Sequence, residues 1–131
     1  MSDIIFRLMT IADYDAVRAL WENTAGMGLN PADDSRGGIE KYLQRNPGMS
    51  FIAHSGREVI GALLCGHDGR RGSIYHLAVA ESYRGHGVGK ELVGLALEAL
   101  RKEGIRKVSV VVFRTNEKGN VFWEKIGFEK R

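Results

Sequence analysis

The sequence predicts a mixed α/β domain, and three observations carry that prediction. Two short apolar strands and a third meet at tight breakers, Ser55-Gly56-Arg57 and "GRRG" at 69–72. A long run at helical spacing follows, from Val88 to the breaker Gly104. A β-branched strand, "RKVSVVVF" at 106–113, comes directly after it. Strand, helix and strand in that order make a crossover, which is right-handed with its two strands parallel. The 131 residues fit one domain, 1–131, and at 44% apolar and 27% charged they support a core rather than a disordered chain.

The elements follow in order. "IIFRL" (4–8) reads as a strand. Thr10 precedes "IADYDAVRALWENT" with Asp13 three residues on, an acidic variant of the capping box, and Tyr14, Val17, Leu20 and Trp21 recur at helical spacing. "AGMGLNPADD" (25–34) is a loop of breakers in which Asp33 and Asp34 read as solvated. Ser35 caps a second helix with Ile39, Tyr42 and Leu43 on one face, ended by "NPG" (46–48). Strands are expected at 49–55, 58–68 and 73–80, with Asp68 serving the turn between the last two. In the long helix, Val88, Leu92, Leu95, Ala96, Ala99 and Leu100 form the expected buried stripe. The strand at 106–113 reads as central, and a last helix over 116–126 turns Gly119, Phe122, Trp123 and Ile126 inward. Cys65 lies in an apolar run and reads as a buried structural thiol.

The net charge of +3 suits an anionic small ligand. No apolar run reaches the roughly 20 residues of a membrane span and the start carries no signal-peptide pattern, so the expected location is cytoplasmic. No metal site is expected.

Function concentrates at the mouth of the long helix, where Gly85-His86-Gly87-Val88-Gly89 stands between Arg84 and Lys90. A helix N-terminus leaves about four backbone N–H groups unpaired and partly positive, and glycines let a ligand approach them closely. The product is an anion site, most often for phosphate. The ATP-binding loop does not fit, because Lys90 is followed by Glu91 where a hydroxyl is needed. The dinucleotide motif G-x-G-x-x-G does not fit the spacing G-x-G-x-G either.

The remaining pattern, R-x-x-G-x-G in "YHLAVAESYRGHGVGKELV", resembles the pyrophosphate-binding motif of the GNAT superfamily of acyl-CoA-dependent N-acyltransferases. "NEKGNVFWEKIGF" is similar to that family's second signature. The resemblance implies a mostly antiparallel central sheet with helices on both faces and a parallel, splayed pair of strands four and five. Acetyl-CoA would be the co-substrate. Its pantetheine would lie in the splay against the backbone of Leu77, Ala78 and Val79. Its pyrophosphate would take the N–H groups of Gly85, His86, Gly87, Val88, Gly89 and Lys90, with Arg84 at the rim. Asn116 matches the Asn that contacts cofactor or substrate, and it is equally placed to cap the last helix.

The implied reaction moves an acetyl group from a thioester to a primary amine of a small molecule or protein. The amine must attack as free base. That costs roughly 4.6 kcal/mol at pH 7 for a lysine of pKa about 10.4, but only about 1 kcal/mol for an α-amine near 7.8. A general base therefore matters more for lysine-like acceptors. The chain departs from the family here. Trp123 stands where many members carry a Tyr acid, and Val111 where N-terminal acetylases often carry a Glu. The candidates in their place are His76, whose imidazole can serve as acid or base, and Tyr75 beside it; strand alternation allows one of the two to face the cleft. These departures keep an acyl-CoA-binding module without efficient catalysis as the alternative. A nucleic-acid surface on Arg70, Arg71, Arg84 and Lys90 is a distant third, since those cations neighbour glycines rather than aromatics. Family members continue past Gly-Phe into one or two more strands, so a missing C-terminal strand and a homodimer covering the open edge are further expectations.

Overall fold

The structure, a computed structural model, describes residues 3–130. Its strands are β1 (Ile4–Leu8), β2 (Phe51–Ser55), β3 (Glu58–His67), β4 (Arg71–Val79) and β5 (Lys107–Val110). Its helices are α1 (Tyr14–Glu22), α2 (Arg36–Arg45), α3 (Val88–Lys102) and α4 (Glu117–Lys125). One five-stranded sheet runs in the order β1-β2-β3-β4-β5. The first three pairings are antiparallel and β4–β5 is parallel, as the crossover requires.

The helices cover both faces. Trp21 and Val17 of α1 and Ile39 of α2 pack on Ile52, Ala62, Leu64 and Ala78. On the other face α3 lays Val88, Leu92, Val93, Ala96 and Leu100 on Ile60, Leu63, Cys65 and Ile74. Successive residues of β3 therefore serve opposite layers, which is why that strand reads as a continuous apolar run. Each large side chain buried this way contributes about 1.5–3 kcal/mol. Leu95, expected in the α3 stripe, is only half-buried, and Val93 takes its place. At about 100° per residue, 88, 92, 93, 96 and 100 fall on one arc and 95 on its flank. α3 also lies unusually close to the sheet. A Cβ at Gly61 would come within 2.9 Å of Val88, and one at Gly72 within 2.7 Å of Leu100. Two strand glycines thus set the depth of the helix that carries the anion motif.

Local signals act as the sequence predicts. Ser35 Oγ accepts the Gly38 N–H at 3.0 Å and starts α2. Asp68 accepts the N–H groups of Arg70 and Arg71, each at 2.8 Å, and closes the β3–β4 turn. Cys65 is fully buried, and burial pushes its thiol up to about 12, so it is inert. Thr10 and Asp13 form the capping box, but on a 3-10 turn (Ile11–Asp13) ahead of α1. Arg7 donates to both Asp13 oxygens, at 2.9 and 2.7 Å.

That pair gives a pH prediction. Burial alone would raise the Asp13 carboxyl, but the Arg7 guanidinium and the Thr10 N–H outweigh it and hold the group below its ordinary value. A depressed carboxylate adds stability that is whole above its unfolded pKa, near 3.9, and is lost as pH falls through the folded value. The advantage of the wild type over Asp13→Asn in urea unfolding is expected to be full at pH 6–7 and to be lost progressively as the pH falls below the ordinary carboxylate range. An advantage that persists there would assign it to shape, not charge.

One expectation is corrected. The strand at 106–113 is not central: β5 is four residues long and lies at the sheet edge among the described residues. Only Val108 and Val110 face the core, while Lys107 and Ser109 are exposed. β-branched residues fit any pleated, half-buried surface, so the run marked a strand but not the number of its neighbours. Beyond Val110 the chain leaves β4, and Val111 is 86% exposed.

Candidate active site

That departure creates the site. β4 pairs with β5 from Arg71↔Lys107 to Ile74↔Val110, then continues alone along β3 to Val79↔Gly61. Among the described residues, the outer edge of Leu77, Ala78 and Val79 has no strand partner. A cavity of about 810 Å3 occupies the gap, bounded by β4, the 110–112 segment, the start of α3, α4 and the 24–27 loop.

One end of this cavity is built for an anion. Gly87 is the N-cap of α3 in the left-handed conformation (φ 81°), and no side chain caps the helix. The first α3 amides are thus unpaired by the helix and carry its positive dipole end. Gly85 is also left-handed, and a Cβ at Gly85 or Gly87 would meet only open space. Arg84, Lys90, Lys118 and Lys125 line the same cavity, and none of its described lining residues is acidic. Gly89 lines it too and lets α4 approach: a Cβ there would be 3.2 Å from the Phe122 ring. Arg84 Nε donates to the Val79 carbonyl at 3.1 Å, which braces the free edge of β4.

The other end is polar and tightly held. His76 lines the cavity, and it is the one described non-glycine residue with positive φ (54°). The strand register explains why. Ala62 faces Ala78 and Leu64 faces Tyr75, so β4 spends one residue more than β3 between these pairs. The extra residue is a β-bulge at His76, which breaks strict alternation. Trp21 Nε1 donates to the His76 carbonyl at 3.0 Å, and its ring stands edge-on to the imidazole with centroids 5.0 Å apart. His76 Nε2 lies 2.8 Å from Asp34 Oδ1. Strain held this firmly beside a cavity is a mark of function.

The structure therefore sorts the expected residues. His76, Leu77, Ala78, Val79, Arg84, Gly85, Gly87, Val88, Gly89, Lys90 and Asn116 share the cavity. Tyr75 does not line it; it is 43% exposed and packs edge-on against Tyr42. The His86 side chain is exposed and the residue borders a separate shallow depression with Ile4 and Phe6. Asn116 caps α4, accepting the Gly119 N–H at 3.0 Å, and also borders the cavity. Trp123 packs between Phe122 and Phe128, centroids 5.2 and 4.9 Å away, and forms cavity wall. Asp34, read as solvated, is instead buried. Lys118 and Lys125 were not expected at the site: they lie about 90 and 100 residues along the chain from the 24–27 loop that shares the cavity, and only the packing of α4 beside the splay brings them there.

A cavity that offers helix amides at one end, four cations in its wall and an open strand edge along its length defines a site for an extended phosphorylated donor. The comparisons give that class its family. The family model described as Acetyltransferase (GNAT) family matches residues 14–128. The chain is 31% identical over 123 residues to an acetyltransferase of Pectobacterium atrosepticum, covering 94% of this chain and 86% of that protein. It is 33% identical to an acetyltransferase of Photorhabdus laumondii over 91% of this chain and 82% of that one. Among solved structures, the PaiA N-acetyltransferase from Thermoplasma acidophilum in complex with coenzyme A superposes with a TM-score of 0.83 at 20% identity, covering 98% of this chain and 91% of that one. The chain belongs to the acetyltransferase (GNAT) family. It is an acetyltransferase, and acetyl-CoA as co-substrate is consistent with that family.

Proposed function

We propose that acetyl-CoA binds with its pyrophosphate on the amides of Gly85 to Lys90 and its pantetheine along the free edge of Leu77 to Val79. The acceptor is a primary amine that enters past the 24–27 loop, and His76 takes up its proton. The observation that carries this reading is a single cavity with the α3 N-terminus at one end and a constrained histidine at the other.

The chemistry then follows. The amine, freed of its extra proton, attacks the thioester carbon and forms the C–N bond. His76 releases that first proton to solvent; as the tetrahedral intermediate collapses by breaking C–S, the nitrogen gives its second proton to His76, from which it passes to the departing thiolate or to solvent. The departing thiol resembles cysteine, with pKa about 8.5, so it can leave as thiolate near neutral pH. A dedicated acid is then dispensable, which fits Trp123 in the place of a tyrosine. His76 as base supplies the element that the reaction does need for a protonated acceptor.

The test is calorimetric titration with acetyl-CoA, followed by thiol release with amines of graded basicity. Micromolar binding and steady turnover are expected. Binding without turnover of any amine would favour the acyl-CoA-binding module instead.

A further inference from the structure

The proton-transfer reading leaves unexplained why the 25–34 loop buries a carboxylate against a strand histidine. Asp34 is 5% exposed and lies 42 residues from His76 in sequence. Every acceptor oxygen it has is engaged. Oδ1 meets His76 Nε2 at 2.8 Å, and Oδ2 accepts the Asn30 N–H at 2.7 Å. Its carbonyl accepts the Tyr14 hydroxyl at 2.6 Å and Arg18 at 3.0 Å. Its own N–H donates to the Asn30 carbonyl at 2.9 Å. The carboxylate is thus held from its loop and from β4, while α1 holds the main-chain carbonyl of the same residue.

We propose that Asp34 is a positioning residue: it accepts from His76 Nε2–H, fixes that tautomer, and leaves Nδ1 as the lone-pair nitrogen that receives the acceptor's proton. A carboxylate only accepts hydrogen bonds, so the ring nitrogen facing it carries the hydrogen. Neutral imidazole then has its basic site on the other nitrogen, of a residue that forms cavity wall. Trp21 completes the arrangement by holding the His76 carbonyl and one side of the ring. A base oriented by a third group is the general logic of activated catalytic histidines. The inference rests on His76 being the base, but its first test does not use activity.

Asp34→Asn is the informative change. Its Oδ1 can still accept the Asn30 N–H, which turns Nδ2 toward His76. An amide N–H there demands a lone pair on Nε2 and drives the proton to Nδ1. Long-range 1H–15N correlation of the imidazoles in acetyl-CoA-free protein reads this directly. His76→Gln identifies the His76 signals among those of His54, His67 and His86. The expected result is an Nε2–H tautomer in the wild type and an Nδ1–H tautomer in Asp34→Asn. An Nδ1–H tautomer in the wild type, or the same tautomer in both proteins, overturns the proposal. The wild-type spectrum alone decides if Asp34→Asn does not fold. In turnover of an N-acetyl-lysine amide, Asp34→Asn is expected to lower kcat at least about tenfold with the acetyl-CoA KM unchanged. A switched tautomer with unaltered kcat would keep the pairing but remove His76 as the base.

Discussion

Gly87→Glu is expected to weaken acetyl-CoA binding by at least about 100-fold, which corresponds to about 2.7 kcal/mol. The size follows from what the α3 N-terminus offers. Each of its N–H groups is worth roughly 1.5–3 kcal/mol toward a charged oxygen, and loss of two such contacts exceeds the stated effect. No side chain competes for these amides, and a Cβ at Gly87 would meet open space. A glutamate there can fold back onto the amides and place its own carboxylate where the pyrophosphate must sit. Its charge also opposes the phosphates beside Arg84 and Lys90. Part of any effect comes from the backbone, because φ is 81° and a side chain in that conformation costs roughly 1–2 kcal/mol. Gly87→Ala carries the same strain without the charge and is expected to bind within about tenfold of wild type. Calorimetry on both variants, with circular dichroism to confirm folding, separates the terms. Equal losses for Ala and Glu would show that the loop's shape, not its amides, holds the ligand.

The second large effect is expected at His76. His76→Gln and His76→Asn should each lower kcat toward a lysine-like amine by about 100-fold or more, with little change in acetyl-CoA affinity. The two substitutions guard against different artefacts. Gln can still donate to the buried Asp34 carboxylate. Asn tolerates the left-handed backbone at φ 54° about as well as His does. Agreement between them assigns the loss to the missing base. The deficit should shrink for an amine of pKa near 7.8, since much of it is already free base at neutral pH. A deficit that is the same for weakly and strongly basic amines would remove proton transfer as the reason and leave His76 as a packing residue.

The arrangement also explains the two departures from the family pattern. Val111 is 86% exposed and lies past the end of β5, where a carboxylate would have no neighbouring strand to orient it. Trp123 is clamped between Phe122 and Phe128. In the reaction proposed above, proton transfer falls instead on His76, on a β4 bulge supported by α1 and the 25–34 loop.

Most of the fold was legible in the sequence because its signals are local. β1 over residues 4–8, the Ser35 cap, the Asp68 turn and the glycine start of α3 each depend on residues within four positions of one another. The anion site belongs to the same class, since consecutive amides at one helix end form it. The strand at 106–113 shows where local signals stop: β-branching marked it as a strand, while its edge position and early end depend on what lies beside it.

The sequence by itself determined the element order, the parallel crossover and the glycine mouth of α3. Only the tertiary structure put His76 rather than Tyr75 in the cavity wall, because the bulge that upsets alternation arises from an unequal residue count between β3 and β4. Only it could bring Asp34 to His76 across 42 residues, and Trp21 across 55. A helix end or a turn is encoded by neighbours in the chain; a buried hydrogen bond between distant segments exists only once the sheet and both helical layers have packed.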